Sequence, residues 1–133
     1  MVVNPEVSSV RDSDRILGLL ASKTRRAELG VAPIEQHLLL TRYDPVRAAR
    51  GDMLKTEDVL EILSIPLLGI IPESQDVLRA SNVGSPVTLN NAASAPARAY
   101  TDAARRLMGE TVDMIVPTER RGLMNRLLGR RAA

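Results

Sequence analysis

Apolar residues follow two rhythms along this chain. Short unbroken runs occur at Met1-Val2-Val3, Leu38-Leu39-Leu40 and Leu67-Leu68-Gly69-Ile70-Ile71. Such runs are the mark of strands buried on both faces. Between them, apolar residues recur every three or four positions, the period of an amphipathic helix. Proline stops each run, at Asn4-Pro5, Asp44-Pro45 and Pro72.

The helical stretches carry their own punctuation. Ser8 and Ser9 offer N-caps, and Ser9 with Asp12 fits a capping box; Val10, Leu17, Leu20 and Ala21 then mark a helix running to about Arg26. Thr56-Glu57-Asp58 opens another, with acids in the first turn where the helix dipole favours them. Ser74 caps a short helix ending near Asn82-Val83-Gly84, and Ser94 with Pro96 begins a longer one reaching about Gly109. His37 precedes an apolar strand with no partner that would make it an acid or base, and Arg50-Gly51-Asp52 reads as loop.

Strands alternating with helices predict βαβ units, a parallel sheet and right-handed crossovers. The class is α/β. Three strands are few for a sheet buried on both faces, so the pattern predicts half of a doubly wound, mostly parallel sheet followed by a C-terminal amphipathic helix. The expected division is 1–113 for the partial domain, 114–118 for a linker and 119–133 for that helix.

Composition removes several functions. The chain has no cysteine, which excludes disulfides and thiolate metal or redox sites. His37 is the only histidine, leaving little material for histidine-rich metal sites or a histidine-based triad. Tyr43 and Tyr100 are the only aromatics, too few for a base-stacking platform. No apolar run approaches the roughly 20 residues that span a bilayer, and the first residues lack a secretory pattern. A cytoplasmic location is expected.

Charge is unevenly divided. Residues 1–113 hold 13 basic against 15 acidic side chains, a net of −2, whereas 114–133 hold five arginines against Glu119, a net of +4. In that tail Leu123, Met124, Leu127 and Leu128 fall within an arc of about 140° on a helix. Asn125, Arg126, Gly129 and Arg130 take the other side. An apolar stripe opposed by arginines fits a helix lying on an anionic membrane surface; the same four apolar residues also fit a helix packed back on its domain.

Three blocks carry a family resemblance: 4–15 (Asn4-Pro5-Glu6-Val7-Ser8-Ser9-Val10-Arg11-Asp12-Ser13-Asp14-Arg15); 38–43 followed by Arg50-Gly51-Asp52-Met53-Leu54; and Gly69-Ile70-Ile71-Pro72-Glu73 with Val77-Leu78-Arg79-Ala80-Ser81-Asn82. Together they resemble the C-terminal half of the MinD/ParA family of deviant-Walker P-loop ATPases, in its septum-site-determining branch. The resemblance implies an ATP and Mg site whose base lies against Arg42, Pro72 and Glu73. It also implies a homodimer face using Glu6, Arg11 and Asp12, with Asp12 meeting a Walker-loop lysine of the other subunit. It further implies recruitment of MinC, control by MinE and peripheral attachment to the anionic inner leaflet through Leu123, Met124, Leu127, Leu128, Arg126 and Arg130.

The chain also departs from that pattern. A phosphate-binding loop needs glycines that expose backbone N–H groups and a lysine that reaches the phosphates. Here Gly-Lys does not occur, and Lys23 and Lys55 are the only lysines. The expectation is a portion of such an ATPase that does not hydrolyse ATP alone, holds no nucleotide or metal tightly and has no catalytic residues. Two other readings stand beside it. One is a partition-type (ParA-like) ATPase portion that binds DNA through Arg105, Arg106 and the tail. The other is a membrane-surface interaction module without nucleotide. The acidic body and amphipathic tail weigh against nucleic acid.

Overall fold

The computed structural model describes residues 1–118. Three parallel strands, β1 (Val2–Val3), β2 (Leu38–Tyr43) and β3 (Leu67–Pro72), lie side by side in that order. Val2 pairs with Leu39 and Leu40 with Ile70. The register of β2 on β3 slips by one residue twice. Between Leu38 and Leu39 the extra residue is Leu68 of β3; between Leu40 and Tyr43 it belongs to β2, at Thr41-Arg42.

Strand alternation divides the side chains between two layers. Leu38, Leu40 and Ile70 face Val10 of α1 (Val7–Ser22) and Val59 and Leu63 of α4 (Thr56–Leu63), which with Val3 and Met53 form the main core. On the other face, α7 (Ala95–Leu107) packs on β3. Gly69 permits that approach: a Cβ there would stand 3.0 Å from Ala103 Cβ and 3.2 Å from Leu39 Cδ1. Helices on both faces of a parallel sheet are the predicted α/β arrangement. A second cluster joins α5 (Gln75–Asn82), α6 (Val87–Asn90) and α7 through Ala80, Val87 and Ala97, with Val77 and Tyr100 against it.

Several local expectations change. α1 begins at Val7 rather than after Ser8 or Ser9, and its N-cap is Glu6 with no side-chain cap. Ser9 Oγ instead accepts the Asn4 N–H at 3.3 Å, one turn inside the helix, so the Ser9–Asp12 capping box is not formed. Proline at 5 fixes the turn and lets the helix start earlier. α1 also ends at Ser22 rather than near Arg26. Thr24 breaks the run by bonding back to the Leu20 carbonyl and capping the short α2 (Arg25–Glu28).

Asp44-Pro45 does more than stop β2. Asp44 Oδ1 accepts the N–H groups of Val46 and Arg47, with proline at the first helical position of α3 (Pro45–Arg50). Arg50 is therefore helical, and Gly51 ends the helix at φ +81°. The caps at Ser74 and Ser94 form as predicted, each hydroxyl accepting a first-turn N–H. His37 has a partner after all: its Nε2 lies 3.1 Å from Glu35 Oε1.

Candidate functional site

Ligands of open parallel sheets collect beyond the carboxyl ends of the strands. Here those ends are finished by an irregularity. Arg42, in the register slip of β2, adopts φ +58°, a left-handed conformation rare for a residue with a Cβ. Such a slip re-aims a side chain. The Arg42 guanidinium leaves the ladder and Nε donates to Glu73 Oε2 at 2.9 Å, while the Glu73 N–H donates to the Tyr43 carbonyl at 2.9 Å. Glu73's hydrogen bond and charge hold the Arg42 pKa above its ordinary value, with a smaller contribution from Glu6. The pair is exposed.

Arg42, Pro72 and Glu73, expected at the base site, are thus brought together. All three line one recess, and Pro72 and Glu73 also line a second, larger cavity. The larger cavity, of about 440 Å³, lies over the ends of β2 and β3. The recess, of about 260 Å³, is walled by Arg42, Pro72, Glu73, Leu78 and Tyr100. The larger cavity is apolar at Tyr43, Pro45, Ile70, Met114, Ile115 and Pro117, with Arg98, Asp102 and Arg106 as its charged edge.

Sequence reasoning missed most of that second wall. Arg98, Asp102 and Arg106 recur every four residues and share one face of α7, a signal present in the spacing. The contribution of Met114 to Thr118 has no local signal. Residues 112–118, expected to be mostly linker, lie beside α7 because Arg106 binds them: its Nε donates to Val112 O at 2.9 Å and a terminal nitrogen to Asp113 O at 2.7 Å.

Glu6, Arg11 and Asp12 are exposed along the first turns of α1. Among the described residues none of the three forms an ion pair. At the same end of the sheet, the buried Thr41 hydroxyl donates to Asn4 Oδ1 at 2.9 Å, pinning the turn that leads into α1. Leu123, Met124, Arg126, Leu127, Leu128 and Arg130 lie outside the described residues.

The residues present fit part of a nucleotide. A flat base matches an apolar cavity edged by polar groups. Among the described residues neither Lys23 nor Lys55 lines the cavity. Among the described residues no group of three or more His, Cys, Asp or Glu is placed to hold a metal ion.

No family model matches the chain. The septum site-determining protein MinD of Escherichia coli K12 is 60% identical over 130 residues, covering 97% of this chain and 48% of that protein. Among solved structures, a MinC:MinD cell division protein complex from Aquifex aeolicus superposes with a TM-score of 0.73 at 37% identity, over 89% of this chain and 45% of that one. The septum site-determining protein MinD complexed with Mg-ADP from Pyrococcus horikoshii superposes with a TM-score of 0.62 over 80% of this chain and 40% of that one. At 24% identity, that likeness speaks for the fold alone. The chain spans about half the length of the relatives it matches.

Proposed function

Since the chain belongs to the MinD family, whose C-terminal half it matches, we propose that it supplies three parts of an ATPase that positions the division septum. They are a base-binding wall, part of a dimer face and a membrane-seeking tail. The observation carrying this reading is the meeting of Pro72 and Glu73 with an apolar cavity at the strand ends, beside the Arg42–Glu73 pair. Tyr43, Pro72 and the aliphatic residues take the faces of the base, and Glu73 and backbone groups take its edge.

ATP bound there supplies the phosphoryl group that is hydrolysed. This chain's residues hold the base and exclude water from it; the phosphates and magnesium fall to the family's other half. That half has a place to join. β1 is an edge strand of two residues, with Val2 67% exposed, and α1 leaves Ile16 and Leu19 at least half exposed beside it. A further parallel strand on β1 would extend the sheet and cover that flank.

Glu6, Arg11 and Asp12 form the dimer face. Carboxylates exposed at the start of a helix are prepositioned for a cation, here the Walker-loop lysine of a second subunit. A dimer presents two tails at once, and avidity converts two weak attachments into a strong one. MinC is the protein recruited and MinE the protein that triggers release; the Aquifex MinC:MinD complex favours the first of these.

Among the described residues no helix is long and apolar enough to cross a membrane. The amphipathic pattern of the sequence assigns attachment to residues 119–133, with Leu123, Met124, Leu127 and Leu128 in the apolar region and Arg126 and Arg130 among the headgroups. Co-sedimentation of the 133-residue chain with phosphatidylglycerol and phosphatidylcholine vesicles, and with duplex DNA at 150 mM salt, tests the reading. Retention by anionic vesicles and not by DNA is expected. DNA binding without vesicle binding would move the chain to the partition ATPases.

A further inference from the structure

Arg106 spends its guanidinium entirely on backbone. One terminal nitrogen donates to Leu68 O at 2.7 Å, Nε to Val112 O at 2.9 Å and the other terminal nitrogen to Asp113 O at 2.7 Å. Leu68 is the extra residue in the first register slip of β3. The extra residue of such a slip is left unpaired in the ladder, and Gly69 lets α7 come close enough for Arg106 to reach it. A planar fork with donors in fixed directions suits three carbonyls at once.

The segment fastened in this way has little else to hold it. Ile115 is 69% exposed and Val116 49%. None of the backbone N–H groups of 111–118 makes a backbone hydrogen bond among the described residues. Met114, Ile115, Pro117 and Thr118 nevertheless form one side of the 440 Å³ cavity. The chain runs from Thr118 directly into the basic tail.

We propose that Arg106 is a latch that straps residues 112–118 across the base pocket, so that a purine base in the pocket and a closed strap stabilise each other. The inference rests on the base-pocket reading above for its ligand, and on Arg106 alone for its latch. The cavity is open with the strap in place, so a base adds contacts to Met114, Ile115 and Pro117 rather than displacing them. Coupling of two equilibria is reciprocal. A ligand that closes the strap must bind more weakly once the latch is cut, and the root of the tail is then held in one position only while the pocket is filled. Arg106 is a positioning residue.

The test uses the 133-residue chain, its Arg106→Gln and Arg106→Lys variants, and adenosine, a probe that needs no phosphate cradle. Backbone 15N relaxation first reads the strap without ligand. In the wild type, residues 112–116 should have order parameters near those of β3, around 0.85, and in Arg106→Gln they should fall below about 0.6 while β2 and β3 are unchanged. Arg106→Lys should resemble Arg106→Gln, because a single ammonium cannot bridge three carbonyls. Equal order in wild type and Arg106→Gln overturns the latch.

Adenosine titration then reads the coupling through amide shifts of Tyr43 and Glu73. Binding at least fivefold tighter in wild type than in Arg106→Gln is expected. Equal affinities in the two overturn the coupling. If adenosine shifts neither amide in either protein, the base reading falls and the coupling with it, and the relaxation result still decides the latch.

Discussion

The Nε of Arg42 lies 2.9 Å from Oε2 of Glu73, tying the last turn of β2 to the residue after β3. The backbone makes the same link, through the Glu73 N–H and the Tyr43 carbonyl. The side-chain pair is 64% and 39% exposed, so solvent screens it to less than about 1 kcal/mol. Its worth lies in position: it fixes two side chains where strands of this fold present their ligands.

Backbone strain at Arg42 offers a direct check. At φ +58° any residue with a Cβ is strained, by about 1–2 kcal/mol. Arg42→Ala loses the ion pair and keeps the strain; Arg42→Gly loses the pair and relieves it. In urea melts the glycine variant should be about 1 kcal/mol more stable than the alanine variant. If alanine is the more stable, Arg42 does not hold this conformation in solution.

Gly69 sets the distance between α7 and the sheet. Gly69→Ala should cost about 1–3 kcal/mol, because Ala103 and Leu39 must give way. Ala103→Gly alone should cost about 1 kcal/mol through lost helix propensity. Combined, the two should cost clearly less than their sum, and simple additivity in the double-mutant cycle would mean the Cβ groups do not meet.

The buried Thr41 hydroxyl holds Asn4. Thr41→Val keeps the shape and removes the donor, at an expected cost of about 1 kcal/mol. Thr41→Ser should recover part of it by restoring the donor. A serine variant no better than valine would show that packing, not the hydrogen bond, matters there.

Burial pushes the Tyr100 phenol above its ordinary pKa. The folded state thus keeps the proton more tightly than the unfolded chain. This contribution is fully present below the unfolded value, near pH 10, and is lost as pH rises through the folded value. Denaturation at pH 9 to 11 should show wild type losing stability more steeply than Tyr100→Phe; parallel curves would place the phenol in water.

The tail makes a separate prediction from its sequence. Leu127→Glu puts a carboxylate on the apolar arc, forfeiting roughly 1.5–3 kcal/mol of burial and adding repulsion from anionic lipid. Vesicle co-sedimentation should be abolished. Arg126→Ala removes only screened attraction and should weaken binding mainly at low salt. Undiminished pelleting of Leu127→Glu would mean the helix does not lie on that face.

Much of this protein was legible from residue order alone. Unbroken apolar runs placed all three strands, and serine caps with glycine stops placed α5 and α7, because these signals act within a few residues of themselves. Pro72 and Glu73 were expected at a site only through the family resemblance; residue order by itself marks Pro72 as the end of a strand. The family blocks named Arg42 as well.

Tertiary structure decided the rest. Ser9 looks like a cap and is not one, since Pro5 starts the helix earlier and leaves the serine to bond Asn4. Arg42 departs from regular pairing within β2 because β2 holds one residue more than β3 between shared pairs, a property of two strands that neither shows singly. The far wall of the cavity exists because Arg106 finds Leu68, 38 positions away, and draws Val112 and Asp113 to the sheet. Local order writes caps and strands through short-range sterics and hydrogen bonds. Contacts between distant carbonyls and one guanidinium arise only when packing brings them together.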